Sequence, residues 1–107
     1  MRLIFLLCTA VCLAQHGHLH TVAFYNVENL FDAQDHPRTY DDDYTPLGRK
    51  AWQPQHVVAK IDQLAKVIAQ VGQVHTQQPP LVLGLAEVEN QDLLERLIAH
   101  PLLAPYG

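Results

Sequence analysis

The sequence predicts an α/β chain in the order strand, helix, strand, helix. Three observations carry that reading. Thr21-Val22-Ala23-Phe24-Tyr25 is β-branched and aromatic, the composition of a strand. Leu81-Val82-Leu83-Gly84-Leu85-Ala86 is a continuous apolar or small run directly after Pro79-Pro80, the pattern of a buried strand. Between them Val57, Ile61, Leu64, Ala65, Ile68 and Val71 recur at helical spacing and mark one apolar face.

Residues 1–14 have the form of a signal peptide. Arg2 gives the positive start, residues 3–11 the apolar h-region, and Cys12-Leu13-Ala14 the small residues of a cleavage site, so cleavage is expected after Ala14. A lipoprotein signal ending at Cys12 is the weaker alternative, because Val11 is bulky. The run is too short to serve as a membrane span of the mature chain, and the localisation expected is exported, periplasmic or secreted. Both cysteines, Cys8 and Cys12, lie in this segment, so export here does not imply a disulfide scaffold.

The chain has 107 residues, 49% hydrophobic and 17% charged, with net charge −4. This is an ordinary globular composition, and it excludes adhesion to nucleic acid through a broad basic surface. A phosphate-bearing substrate would be reached through a metal ion instead.

Residues 15–20 are a polar lead-in in which His16, His18 and His20 alternate. They read as a solvated tail, with Zn or Cu binding as the alternative. The first strand spans 21–25 and ends at Asn26. Residues 27–32 read as a turn that tucks Leu30 and Phe31 onto the core. Residues 33–54 form a long loop with Pro37, Pro46, Gly48, Pro54 and the run Asp41-Asp42-Asp43. A loop of that length is usually functional or mobile. The three aspartates lack the spacing of an EF-hand and read as a solvated acidic segment. Arg49 and Lys50 are candidates to touch an anionic substrate, or to flank a Trp52 that packs the loop.

A helix is expected over 55–71, with Pro54 suited to the first turn and Gly72 to the stop. His56 and His75, near its ends, read as solvated or capping. The second strand, 81–86, runs straight into Glu87. Asn90 is a natural N-cap for a second helix over 91–100, with Leu93, Leu94, Leu97 and Ile98 on its apolar face and Pro101 beyond it.

This order makes a βαβα unit whose two strands should be parallel neighbours. Their carboxyl ends then share one edge, where ligands of open α/β sheets bind. Adjacent strands lie about 4.8 Å apart, so Asn26 and Glu87 are expected to converge there on one cation. An oxygen-only pair suits Mg2+, or Mn2+ or Ca2+, and Mg2+ characteristically joins one or two carboxylates to a substrate phosphate.

The stretches Phe24-Tyr25-Asn26-Val27-Glu28-Asn29-Leu30-Phe31-Asp32 and Val82-Leu83-Gly84-Leu85-Ala86-Glu87-Val88-Glu89-Asn90 resemble the first two motifs of the endonuclease/exonuclease/phosphatase, or DNase I-like, family. Its members include repair nucleases, inositol polyphosphate 5-phosphatases and neutral sphingomyelinases. The opening, with Asp42-Asp43-Tyr44-Thr45-Pro46-Leu47-Gly48, is most similar to a secreted bacterial branch. The resemblance implies a two-sheet α/β sandwich and a hydrolase, nuclease or phosphodiesterase that attacks a phosphoester with metal-activated water. It implies Glu87 as the metal-binding glutamate, and Asn26 as the asparagine that helps position the metal and its phosphate ligand. Glu28, Asn29, Glu89 and Asn90 belong to the motif text, and turn geometry, a cap and supporting hydrogen bonds are their expected roles.

The family's later motifs, with a catalytic Asp and His, have no match here. Residues 21–107 therefore read as the N-terminal part of a domain of about 200–250 residues, a fragment expected to be inactive alone. The alternatives are an exported non-catalytic α/β binding module and a small metal-binding protein that uses the histidine tail.

Overall fold

The computed structural model describes residues 17–107; the signal-peptide reading of 1–14, its cleavage at Ala14, and His16 lie outside them. The elements run β1 (Val22–Leu30), α1 (Pro54–Gln70), α2 (Gln73–Thr76), β2 (Val82–Val88) and α3 (Gln91–Ile98), with single 3-10 turns at Asp42–Tyr44 and Ala104–Tyr106. The βαβα order is as expected, and the two strands pair in parallel. Among the described residues no helix is long and apolar enough to cross a membrane.

The core lies on one face of the sheet. Val27 and Leu30 of β1, Val57, Ile61, Leu64, Ala65 and Ile68 of α1, and Leu93 and Leu97 of α3 form one buried cluster, with Tyr25, Leu83, Leu85 and Val88 packed against it. Both helices therefore cover the same side. The other face begins with Val22, Phe24 and Val82, all exposed. Gly84 lies under Phe24: a Cβ there would come within 2.9 Å of the Phe24 ring, so the missing side chain is what lets the ring lie across β2.

The strand ends depart from the sequence reading. β1 does not stop at Asn26 but continues to Leu30, and β2 runs past Glu87 to Val88. Residues pair in step from Val22–Val82 to Asn26–Ala86, and the next pair is Leu30–Val88. Four steps along β1 thus match two along β2, which is a β-bulge. Glu28, Asn29 and Glu87 take positive φ of 54°, 59° and 63° to absorb the mismatch. The bulge turns Val27 and Leu30 both inward, three residues apart, where a regular strand would alternate. That aperiodicity is why residues 27–32 read as a turn.

Lys60 of α1 holds the bulge from the side. Its ammonium donates to the carbonyls of both Glu28 and Asn29, the latter at 3.2 Å. Half-burial pulls the Lys60 pKa below its ordinary value, against the pull of Glu28 and Glu87.

Helix α1 starts one residue earlier than expected, at Pro54, and its first turn is tied by Gln53 N–H donating to His56 Nδ1 at 2.9 Å. His56 is thus the capping residue of the two readings given. Gly72 follows the helix at φ 75°, and a Cβ there would meet Thr21 Oγ1 at 2.0 Å. The linker after it folds into the short α2, which the sequence pattern does not show. Asn90 caps α3, its Oδ1 accepting from Leu93 N–H at 3.0 Å. The helix ends at Ile98, before His100.

The long loop is built, not open. Phe31 stacks on Tyr44 at 4.4 Å, Tyr44 meets Trp52 edge-on, and Trp52 Nε1 donates to the Phe31 carbonyl at 3.1 Å. Arg49 pairs with Asp43 at 2.7 Å, and Lys50 lies over the Tyr44 ring. Trp52 therefore packs the loop, and both cations are engaged within it. Asp41 is not solvated: it is 1% exposed.

Two predictions follow from these ties. Lys60→Met keeps the aliphatic stem and removes the ammonium; two charge-assisted hydrogen bonds on a half-buried group make a loss of about 1–2 kcal/mol in urea unfolding. An unchanged midpoint would show that the bulge needs no cation. Asp62 accepts from Lys66 at 2.6 Å and from His100 at 3.2 Å, which joins α1 to the end of α3. Lys66 first, then His100, hold its pKa below 3.8. The stability it contributes is present above pH 3.8 and lost as pH falls below that value through the lowered pKa. Asp62→Asn should lower the urea midpoint at neutral pH, leave stability at about pH 2 little changed, and so flatten that part of the acid unfolding curve; an unchanged neutral midpoint would show that these contacts contribute nothing.

Candidate functional site

The parallel pairing brings Asn26 and Glu87 to one edge, as the sequence reading requires. Asn26 is on the outward face of β1, opposite Ala86, and Glu87 is one step further along β2. The Asn26 side chain donates through Nδ2 to Glu87 Oε1 at 2.9 Å, and the Asn29 backbone N–H donates to Oε2 at 3.1 Å. Asn26 Oδ1 in turn accepts from the Glu28 N–H at 2.9 Å. The Asn26 amide orientation follows from these partners, since the reverse would set two oxygens against each other.

The strained backbone is what makes this possible. With Glu87 at φ 63° its carboxylate turns toward β1, and with Glu28 and Asn29 at positive φ their N–H groups point back at the two side chains. Backbone strain of this kind persists where surrounding contacts enforce it, and it clusters at functional sites. Here the enforcing contacts are the Lys60 ammonium and the buried Val27 and Leu30 on either side.

The donor set fits a hard divalent cation. Each Glu87 oxygen accepts one hydrogen bond in the structure, whereas a carboxylate offers about four lone-pair sites. Asn26 Oδ1 likewise accepts one bond of its two. Both residues are exposed, which leaves room for ion-bound waters and substrate. Oxygen donors without sulfur or imidazole suit Mg2+, Mn2+ or Ca2+.

A second constellation, which sequence reasoning missed, forms beside it. Asp32, His36 and Glu89 offer donor atoms within 4.8 Å of one another. His36 Nε2 lies 3.1 Å from Asp32 Oδ2, and Asn90 Nδ2 donates to the same oxygen at 2.9 Å. The Asp32 N–H donates to Glu89 Oε2 at 2.9 Å, and the His36 N–H to Asp41 Oδ2 at 3.2 Å. Burial first, then the neighbouring Asp41 and Asp32 carboxyls, push the Glu89 pKa up to about 7 despite the Asp32 N–H. Burial also pulls Asp32 upward, but the Gln34 N–H, His36 and Asn90 outweigh it and hold its pKa low. The hydrogen bond to Asp32 raises the His36 pKa.

The spacing Asp32-x-x-x-His36 was a visible signal on its own. Glu89, 57 positions from Asp32, joins it only through the strand register, and Asp41 only through the fold of the loop. Glu89 and Asn90 do serve as a supporting hydrogen bond and a cap, the roles expected of them. His18 and His20 are exposed.

No curated protein and no solved structure matches the chain significantly. A family model does match, over residues 21–107, and its description is the Endonuclease/Exonuclease/phosphatase family. The match begins at the residue before β1 and takes in Asn26, Glu87 and the cluster beside them. The likeness of the two strand-end motifs is thus matched by a likeness across the whole described α/β unit, and the chain belongs to the Endonuclease/Exonuclease/phosphatase family, a family of phosphoester hydrolases.

Proposed function

We propose that this chain supplies the metal-binding strand pair of a divalent-metal-dependent phosphoesterase, a nuclease or phosphatase that hydrolyses its substrate by attack of water. The observation that carries this reading is the Asn26–Glu87 contact at the bulge where the regular pairing of the two parallel strands stops. Family membership supports it, since phosphoester hydrolases of this kind typically use a divalent metal, and it weighs against a binding module without chemistry.

In this reading Glu87 is the direct ligand of Mg2+, or of Mn2+ or Ca2+. When bound, the ion supplies Lewis-acid polarisation of a phosphoryl oxygen and neutralises charge that develops there. The remaining work belongs to the chain. Asn26 fixes one Glu87 oxygen and keeps a lone pair of Oδ1 for the ion or its phosphate ligand. The Asn29 N–H fixes the other oxygen. Lys60 holds the bulge that aims both N–H groups. Positioning partners of this sort are commonly worth 10- to 100-fold in metal affinity. The leader-like sequence at 1–14 supports placing this chemistry outside the cytoplasm.

The test is Mg2+ titration followed by nuclear magnetic resonance. The Asn26 side-chain NH2 and the Asn29 amide, both bonded to Glu87, should shift on titration in the native chain. In Glu87→Ala no saturable shift should remain at residues 26–29, and Asn26→Ala should weaken binding by about 10-fold or more. Saturable Mg2+ shifts that persist in Glu87→Ala would remove Glu87 as the ligand.

A further inference from the structure

We propose that Asp32, His36, Asp41 and Glu89 form a second divalent-cation site, of mixed imidazole and carboxylate donors suited to Zn2+, which ties the long loop to the end of β2. It stands on a separate set of residues from the Glu87 site and does not depend on it.

The first observation is the set of donors. Donor atoms of Asp32, His36 and Glu89 lie within 4.8 Å of one another. Ligands about 2.0–2.2 Å from a tetrahedral Zn2+ sit about 3.3–3.6 Å apart, so closing the group takes a contraction of at most about 1.5 Å. His36 Nε2 lies 3.1 Å from Asp32 Oδ2, so the pair would open by a few tenths of an ångström to share one ion.

The second, independent observation is an unpartnered buried oxygen. Asp41 is 1% exposed, and its Oδ1 has no hydrogen-bond donor; neither has the buried Oε1 of Glu89. Each of these carboxylates is fixed at one oxygen by a backbone N–H: Asp41 Oδ2 by His36, and Glu89 Oε2 by Asp32. Each presents the other oxygen with nothing to satisfy it, and the two carboxyl groups lie against each other. A buried acceptor without a donor is costly, and two carboxyl groups in contact, one of them beside Asp32 and His36, call for a positive charge, a cation or a shared proton. One ion would answer both.

The ion has a way in. A cavity of about 340 Å³ is lined by His36, Glu89 and Asn90 together with Pro37, Arg38 and Thr39. The nitrogen donor argues against Mg2+ and for a borderline ion such as Zn2+. The first site has only oxygen, so the two should sort different ions.

The experiment uses the full chain carrying H16A/H18A/H20A, so that the histidine tail contributes no ligand. Titration with Co2+, a spectroscopic stand-in for Zn2+, is followed by visible absorption, and competition with Zn2+ gives the affinity. The expected result is one ion with nitrogen-containing ligand-field bands, displaced by Zn2+. His36→Ala should abolish those bands, Asp41→Asn should weaken binding at least 10-fold, and Glu87→Ala should leave the bands unchanged. The last variant separates this site from the proposed Mg2+ site. His36 is 40% exposed at its side chain, so His36→Ala should keep its circular dichroism, and it decides the question if Asp41→Asn does not fold. Bands that survive in His36→Ala would overturn the proposal. So would the absence of Co2+ and Zn2+ binding, which would mean that a shared proton alone joins Asp41 to Glu89.

Discussion

The structure depends on a mismatch in length. β1 carries two more residues than β2 between the pairs Asn26–Ala86 and Leu30–Val88. A parallel pair cannot absorb two extra residues while staying regular, so the excess is expelled as a bulge and three non-glycine residues take left-handed backbone. An αL residue with a Cβ costs roughly 1–2 kcal/mol. What offsets this is visible on both sides of the bulge. Val27 and Leu30 are both buried, each worth roughly 1.5–3 kcal/mol on leaving water, and the Lys60 ammonium satisfies the carbonyls that the bulge exposes. The site is a by-product of that balance: the same backbone turns aim the Glu28 and Asn29 N–H groups at Asn26 and Glu87.

Charge is distributed around the bulge in two layers. On the outward side, Glu87 is held by neutral donors, an amide and a peptide N–H, so its negative charge is fixed in place without being neutralised. On the loop side, Asp32, Asp41 and Glu89 crowd together with one imidazole, and burial with the neighbouring carboxyls pushes the Glu89 pKa up to about 7. One backbone segment, residues 30–32, holds Glu89 at both its backbone and its side chain. The Leu30 carbonyl takes the Glu89 N–H at 3.1 Å, and the Asp32 N–H takes the Glu89 side chain. β2 and the long loop are therefore fastened to each other through the chain that immediately follows the bulge.

The parts of the fold that follow simple periodicity were legible in the sequence. The 3.6-residue repeat from Val57 to Ile68 locates α1 within a residue, Asn90 marks the start of α3, and the helix between two apolar runs implies the parallel pairing. The bulge was not legible, because two inserted residues erase the alternation by which a strand is recognised, so Val27 to Leu30 looked like a turn. Burial of Asp41 was hidden for a different reason. Three consecutive aspartates look solvated by composition, whereas the first of them is buried with its side chain against the His36 N–H and Glu89. The approach of Asn26 to Glu87 could be anticipated because both follow apolar runs whose parallel pairing sets them on one side of the sheet. The meeting of Glu89 with Asp32 and His36 requires the register itself, which composition does not encode.

The outward face of the sheet has a further consequence. Val22, Phe24 and Asn26 share one side of β1, so the apolar patch and the first residue of the site lie on the same surface, two residues apart. Any element that packs on Val22, Phe24 and Val82 also becomes a wall beside Asn26. Such a wall would lower the local dielectric around Glu87, and Coulomb attraction between a carboxylate and a cation grows roughly in inverse proportion to that constant. The strength of the candidate metal site would then be set by hydrophobic packing on its neighbours as much as by the ligands themselves.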